Sequence, residues 1–316
     1  MAHATTQVVT PLLRAIERDT DVVRVELPHA MAGESRAVHR VRVASRRLRA
    51  AVPIAAGITR ESAGDLARDV RRITRALGRL RESDVALEWI DTAAPRSEHG
   101  DAMARVRAAC AAERDRSRRA LRSRIKRRAA AGVIDDAGAV AERLARAPGG
   151  RASTVLAAAV GRRARQMSEA LREAGTTYGV ESLHRLRLAT KKLRYTLELA
   201  QSLFGAFGRR VLRDLRGLQK RLGQIHDGQA VRRYVRIAAA ESGVTREMVG
   251  HLAEIDRELD TTCRRLHARL VASRADLQYT LEEIRDLVAT YASPRRVGRM
   301  ARMPVDRPRR RTAVGA

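Results

Sequence analysis

Two eleven-residue segments concentrate groups that could do chemistry. Residues 39–49 read HRVRVASRRLR and residues 184–194 read HRLRLATKKLR, at an offset of 145. Six positions are identical, and the other five exchange Val with Leu, Ser with Thr or Arg with Lys. His39, Arg42, Arg46, Arg47 and Arg49 thus correspond to His184, Arg187, Lys191, Lys192 and Arg194. At about 100° per residue the basic side chains of each copy gather on one helical face. Val38, Val41, Ala44, Ser45, Leu48 and Val52 take the opposite face, as do Leu183, Leu186, Ala189, Thr190, Leu193 and Leu197. No acid lies between Val41 and Pro53, or between Leu183 and Leu197. Like charges at i,i+4 oppose helix formation, so an uncompensated face that occurs twice points to a polyanion ligand. Arg suits that ligand, because its planar fork donates two hydrogen bonds to one phosphate and stays charged. His39 and His184 lack a second metal ligand at i+3 or i+4 and have no nucleophile or carboxylate beside them. Two roles stay open for them: donating to phosphate, or orienting the neighbouring arginines.

A second stripe follows each copy. Arg68, Arg71 and Arg75 stand at i, i+3 and i+7, and Arg213, Arg216 and Lys220 repeat them at the same offset of 145. Leu77-Gly78 likewise matches Leu222-Gly223. The elements needed to position these residues are helices. Ala, Leu, Arg and Glu favour helix, apolar residues recur at three and four, as in Val70, Ile73, Leu77 and Leu80, and no alternating strand pattern appears. Breaks are expected at Pro28–Gly33, Gly57–Gly64, Pro95–Gly100, Gly132–Gly138, Pro148–Gly150, Gly175–Gly179, Gly205–Gly208 and Ser242-Gly243. The expectation is an all-α chain built of two pseudo-symmetric helical repeats, 1–148 and 149–290. A basic tail, 291–316, should follow, with eight Arg, one Asp and three Pro.

The composition sets limits. Of 316 residues, 64 are Lys or Arg and 36 are Asp or Glu, a net charge of +28. Removing the tail's +7 leaves +21 on the body, which calls for a polyanionic partner. An apolar fraction of 44% can build a core. The longest stretch without Asp, Glu, Lys or Arg is Met1–Leu13, too short for a membrane span and without the basic start of a secretory signal. Cys110 and Cys263 read as isolated buried thiols, and a cytoplasmic location is expected. No Walker A motif, nucleophile elbow or acidic metal cluster is evident. Asp135-Asp136 reads as a helix N-cap, Glu282-Glu283 as a solvated pair, and His226, His251 and His267 as surface or satisfied histidines. Arg114–Arg128 holds nine basic residues and one acid. It fits either an outer solvated surface or part of the anion site.

These motifs resemble the CHAD family, the conserved-histidine α-helical domains. The resemblance rests on H-x-x-R-x-x-x-R/K-R/K-L-R, present as His39–Arg49 and His184–Arg194, with support from Leu77–Val85 and Leu218–Asp227. It covers roughly residues 5–290. It implies two pseudo-symmetric four-helix bundles around a central basic cavity, non-catalytic binding of inorganic polyphosphate there, and association with polyphosphate granules. No cofactor is implied. No E-x-E-x-K signature of a fused triphosphatase domain is present, which fits a stand-alone member. Glu82 stands where Asp227 leads one to expect Asp. The resemblance makes His39, Arg42, Arg46, Arg47, Arg49, His184, Arg187, Lys191, Lys192 and Arg194 the core of the expected site. Arg68, Arg71, Arg75, Arg213, Arg216 and Lys220 come second. Non-specific nucleic-acid binding is the alternative, with Arg309–Arg311 holding DNA or RNA. The eight aromatic residues offer few stacking platforms for it. No membrane partner is expected.

Overall fold

A computed structural model describes residues 2–94, 98–125 and 127–292. The expected basic tail lies outside the described residues beyond Ala292. The described residues are helical throughout, with no strand among them. The order is α1 (Ala2–Ala32), α2 (Ser35–Thr59), α3 (Gly64–Ala93), α4 (Gly100–Arg119), α5 (Leu121–Arg124), α6 (Arg127–Arg146), α7 (Ala152–Ala174), α8 (Val180–Leu199), α9 (Gln201–Ala239), α10 (Arg246–Ala272) and α11 (Arg274–Ala292). The chain is all-α.

Most helix ends fall where Gly and Pro predict them. One break does not form. α6 runs through Gly132–Gly138, because Val133, Ala137, Val140 and Leu144 make a buried stripe at helical spacing. That stripe outweighs a cost of about 1 kcal/mol for each interior glycine. Asp135-Asp136 therefore sits inside a helix and is not an N-cap. At Gly205 the expected break forms: its φ of 51° and ψ of −127° are non-helical, and α9 is two helices joined at a kink there. Glu283 is not purely solvated, since it accepts a hydrogen bond from Arg210 on α9.

The helices pack in an order that recurs. α1 lies on α2, α2 on α3, α3 on α4 and α1 on α6; α7 lies on α8, α8 on α9, α9 on α10 and α7 on α11. The halves meet where α2 touches α7 and α8, and where α9 touches α3 and α4. Both halves feed the same core. One apolar cluster runs from Leu12 and Val41 through Leu156 and Leu193 to Ile284. A second joins Ile90 and Val106 to Tyr234 and Leu259. Cys110 and Cys263 are buried free thiols, and burial pushes Cys110 up to about 12.

Part of the Arg114–Arg128 segment is structural. Arg114 donates from Nε to Asp84 at 2.7 Å and from a terminal nitrogen to the Gly33 carbonyl at 2.7 Å, tying α4 to α3 and the α1–α2 turn. Arg116 and Arg118 pair with Glu113 and Asp115 on their own helix. No described helix is long and apolar enough to cross a membrane.

Candidate polyanion-binding site

The helical-wheel division of the two repeated segments holds in three dimensions. Every residue assigned to the apolar faces of α2 and α8 is buried. Ser45 and Thr190, equivalent and wholly buried, return their hydroxyls to their own helices at Arg42 O (3.2 Å) and Leu186 O (2.8 Å). The buried faces fix the rotation of α2 and α8, so their cationic faces turn toward one another. Between them lies a cleft of about 650 Å³, walled also by α3 and α9.

Both repeats supply this cleft: His39, Arg42 and Arg46 from α2, and His184, Arg187, Lys191 and Arg194 from α8. α3 adds Arg75, Arg79 and Arg81. In all, eight Arg or Lys and three His face two carboxylates, Glu82 and Asp227. Arg42 lies across α3 and donates to the Thr74 carbonyl at 3.1 Å. The Arg42 guanidinium passes Gly78, where a Cβ would stand 3.4 Å from it.

The electrostatics follow from confinement. Lys191 is only 8% exposed and makes no hydrogen bond or ion pair with any described residue. Burial first, then Arg187, Arg46 and Arg42, push it down to about 6. Burial, with Arg46, Arg187 and Arg81, brings Arg42 down to about 9. The Arg187 guanidinium is depressed mainly by burial, and its Nε is buried without a hydrogen-bond partner. His39 and His184 are both lowered, chiefly by burial and then by nearby arginines. Asp227 is raised by burial, against the pull of Arg187 and Lys191. Surface arginines of this chain find carboxylates, as Arg24, Arg68 and Arg107 do. The cleft cations largely do not. Such a site gains stability by admitting negative charge.

The cleft continues outward. Arg49, Arg163 and Lys192 border a recess of about 220 Å³ that shares Arg46, Lys191 and Tyr195 with it. Past His184 lies a recess of about 330 Å³ with Arg233 in its wall. Past His39 lies a groove of about 900 Å³.

Not every expected residue arrives. Arg47 turns toward α1, 3.8 Å from Asp19. Arg194 reaches the cleft, but it is held by Gln219 at 2.7 Å and by Glu198, and it covers the Tyr195 ring at 4.2 Å. Of the second stripe, Arg75 lines the cleft and Arg71 lies near enough to Arg49 to depress it. Arg68 pairs with Asp65 and Arg216 with Glu198; both are exposed, as are Arg213 and Lys220, and none lines the cleft. Seven residues separate Arg68 from Arg75, about 10 Å along a helix, and the cleft meets only the later turns of α3.

His226 is the main correction. It is not a surface histidine but a half-buried wall residue, with its ring 5.4 Å from that of His184. Burial first, then Arg187, His184, Lys191 and Arg46, push it down to about 3. The repeat register could have found it: residue 226 is the counterpart of 81, and 227 of 82, and all four face the cleft.

Comparison with known proteins agrees with this layout. A family model described as CHAD domain matches residues 14–236. The chain belongs to the CHAD family. The match runs from α1 into α9, narrower than the 5–290 expected from the motifs. The fold is also that of the crystal structure of the CHAD domain from the plant Ricinus communis, at 20% identity and TM-score 0.55, covering 89% of each chain. A structure titled PptA from Streptomyces chartreusis is similar at 14% identity and TM-score 0.59, covering 90% of this chain and 99% of that one. Comparison with curated proteins returns no significant match. In this CHAD chain both motif histidines stand in the cleft wall.

Proposed function

We propose that this CHAD protein binds inorganic polyphosphate, without catalysing a reaction on it, through the cleft between α2 and α8. The observation that carries the reading is Lys191: 8% exposed, without a hydrogen bond or ion pair among the described residues, and surrounded by arginines from both repeats. Confinement among like charges holds it down to about 6, and a run of phosphates would let it take up its proton. A thin, flexible chain of phosphates fits a confined cleft with branching mouths. The one Phe, Tyr or Trp ring in its wall, Tyr195, is already covered by Arg194, which argues against stacking with nucleobases. Retention on polyphosphate granules is part of the same proposal, as is the two-fold relation between the repeats 1–148 and 149–290.

The test is a competition with the full-length chain at near-physiological salt. Labelled long-chain polyphosphate is displaced by unlabelled polyphosphate, DNA or RNA at equal phosphate concentration. Polyphosphate should compete at least tenfold better. Equal competition by DNA or RNA would make the protein a general polyanion binder and favour the nucleic-acid reading.

A further inference from the structure

The recess bordered by Arg49, Arg163 and Lys192 has a counterpart in the other repeat. At the offset of 145, Arg163 corresponds to Arg18, Lys192 to Arg47 and Arg49 to Arg194. The helices correspond as well: α7, α8 and α2 supply the recess, and α1, α2 and α8 supply the counterpart. The counterpart is neutralised by the protein itself. Asp19, 2% exposed, accepts from Arg18 at 3.1 Å and stands 3.8 Å from Arg47. Glu198 accepts from Arg194. Two carboxylates thus serve three arginines.

At the recess both acids are missing. The residue at the place of Asp19 is Ala164, and the residue at the place of Glu198 is Pro53. Arg46 and Lys191 join the three cations, and no carboxylate lines the recess among the described residues. None of the five is in an ion pair with a described residue. Arg163 donates to Gln166 on its own helix at 2.8 Å, a neutral partner. Arg49 is lowered by burial first and then by Arg71, Arg46, Arg75 and Arg163, and Lys192 by burial and then by Arg163 and Arg49. The other branches of the cleft carry both signs. Four arginines face three carboxylates beyond His39, and Arg187 and Arg233 face Glu82 and Glu181 beyond His184.

We propose that this recess binds the terminal phosphate of a polyphosphate chain whose interior lies in the cleft. Interior phosphates carry about one charge each, whereas an end group, like a phosphate monoester, carries about 1.5 to 2 at pH 7. That matches the two carboxylates the first repeat supplies from within. The recess, of about 220 Å³, opens into the cleft at Arg46, Lys191 and Tyr195, and its remaining lining, Ala50 and Leu188, is apolar. The forks of Arg49 and Arg163 suit the free oxygens of an end group. A chain held in this way has a fixed direction in the cleft, and its end is covered against enzymes that act on termini. The inference rests on the polyphosphate reading of the cleft.

The test compares two short polyphosphates of one length, one with free ends and one with both ends joined to methylamine as phosphoramidates, which leaves a single charge on each end group. Binding to the full-length protein is measured by calorimetry at neutral pH and near-physiological salt. Wild type should bind the free-ended chain several-fold tighter. Arg163→Gln with Lys192→Gln should bring the ratio of the two affinities close to one, whereas a general loss of cationic surface would weaken both chains and keep the ratio. Ala164→Asp, which restores the internal acid of the first repeat, should abolish the preference independently. Equal binding of the two chains by wild type would overturn the end site and leave the polyphosphate reading intact; if inorganic phosphate alone then binds, the recess is a site for free phosphate. A preference that survives in both variants would also overturn it. Absence of binding of either chain by wild type would overturn both readings.

Discussion

The imidazoles of His184 and His226, on adjacent helices, face each other at 5.4 Å, and the nearest acid contact of the pair is Glu82, 3.9 Å from His226 Nε2. Arg187, Lys191 and Arg46 complete the surroundings. His226 is held down to about 3 from an ordinary 6.5, mainly by burial. The folded chain therefore binds fewer protons here than the unfolded chain, and this contribution to stability is lost as pH falls from 6.5 toward 3. Lys191, at about 6 against 10.5, acts with the same sign over the higher window. Thermal melts of the free protein should show stability falling steadily from pH 8 to pH 5. Saturating polyphosphate should flatten the profile. Binding near pH 7 should take up protons, read by calorimetry in buffers of different ionisation enthalpy. Proton release on binding would contradict this account.

Lys191 sets stability against binding. Held down to about 6, Lys191 gives up its proton on folding at neutral pH, and an apolar side chain of similar length removes that cost. Lys191→Met should raise the melting temperature of the free protein by several degrees, on the order of 1–2 kcal/mol for a chain of this size, and weaken polyphosphate binding by about tenfold, one charge-assisted contact. A variant that loses stability and affinity together would show that Lys191 has a partner in solution.

Site and net charge can be separated. Arg46→Glu with Lys191→Glu places two carboxylates in the cleft. Arg119→Glu with Arg124→Glu makes the same charge change on exposed side chains of α4 and α5. The first pair should cost at least a hundredfold in affinity, the second less than tenfold. The salt dependence should be steep, with a log–log slope of about −4 if about six phosphates are neutralised, by analogy with single-stranded nucleic acids. It should flatten only in the cleft variant. Equal losses in both pairs would mean that charge alone explains binding.

A stability prediction tests the packing of α9 on α10. A Cβ at Gly228 would stand 2.8 Å from Cys263 Sγ, closer than the two helices can accept without shifting. Gly228→Ala should destabilise by about 1–3 kcal/mol, the usual range for overpacking. Cys263→Ala in the same chain should recover part of that loss, so the two substitutions are non-additive. Simple additivity in denaturant melts would show that the helices adjust elsewhere.

Much of the site was legible before the fold. The apolar faces of α2 and α8 could be read residue by residue, because 3.6-residue periodicity is a local property of the chain. The same periodicity required His39, Arg42, Arg46 and their counterparts to share the other face. The absence of acids within each segment marked that face as unpaired.

Tertiary structure decided the rest. Whether Arg47 or Arg46 enters the cleft depends on α1, whose Asp19 draws Arg47 away. Whether Arg114 binds anions or staples helices depends on Asp84 and Gly33, distant in sequence. His226 became a cleft residue only because α9 crosses beside α8. Which of two glycine-marked breaks would form was settled by buried surface: α6 has a stripe to bury through Gly132–Gly138, while Gly205 takes a positive φ and kinks α9. Helical periodicity tells which residues share a face. Long-range packing alone determines which faces meet, and therefore which of the many cations in this chain are left without a partner.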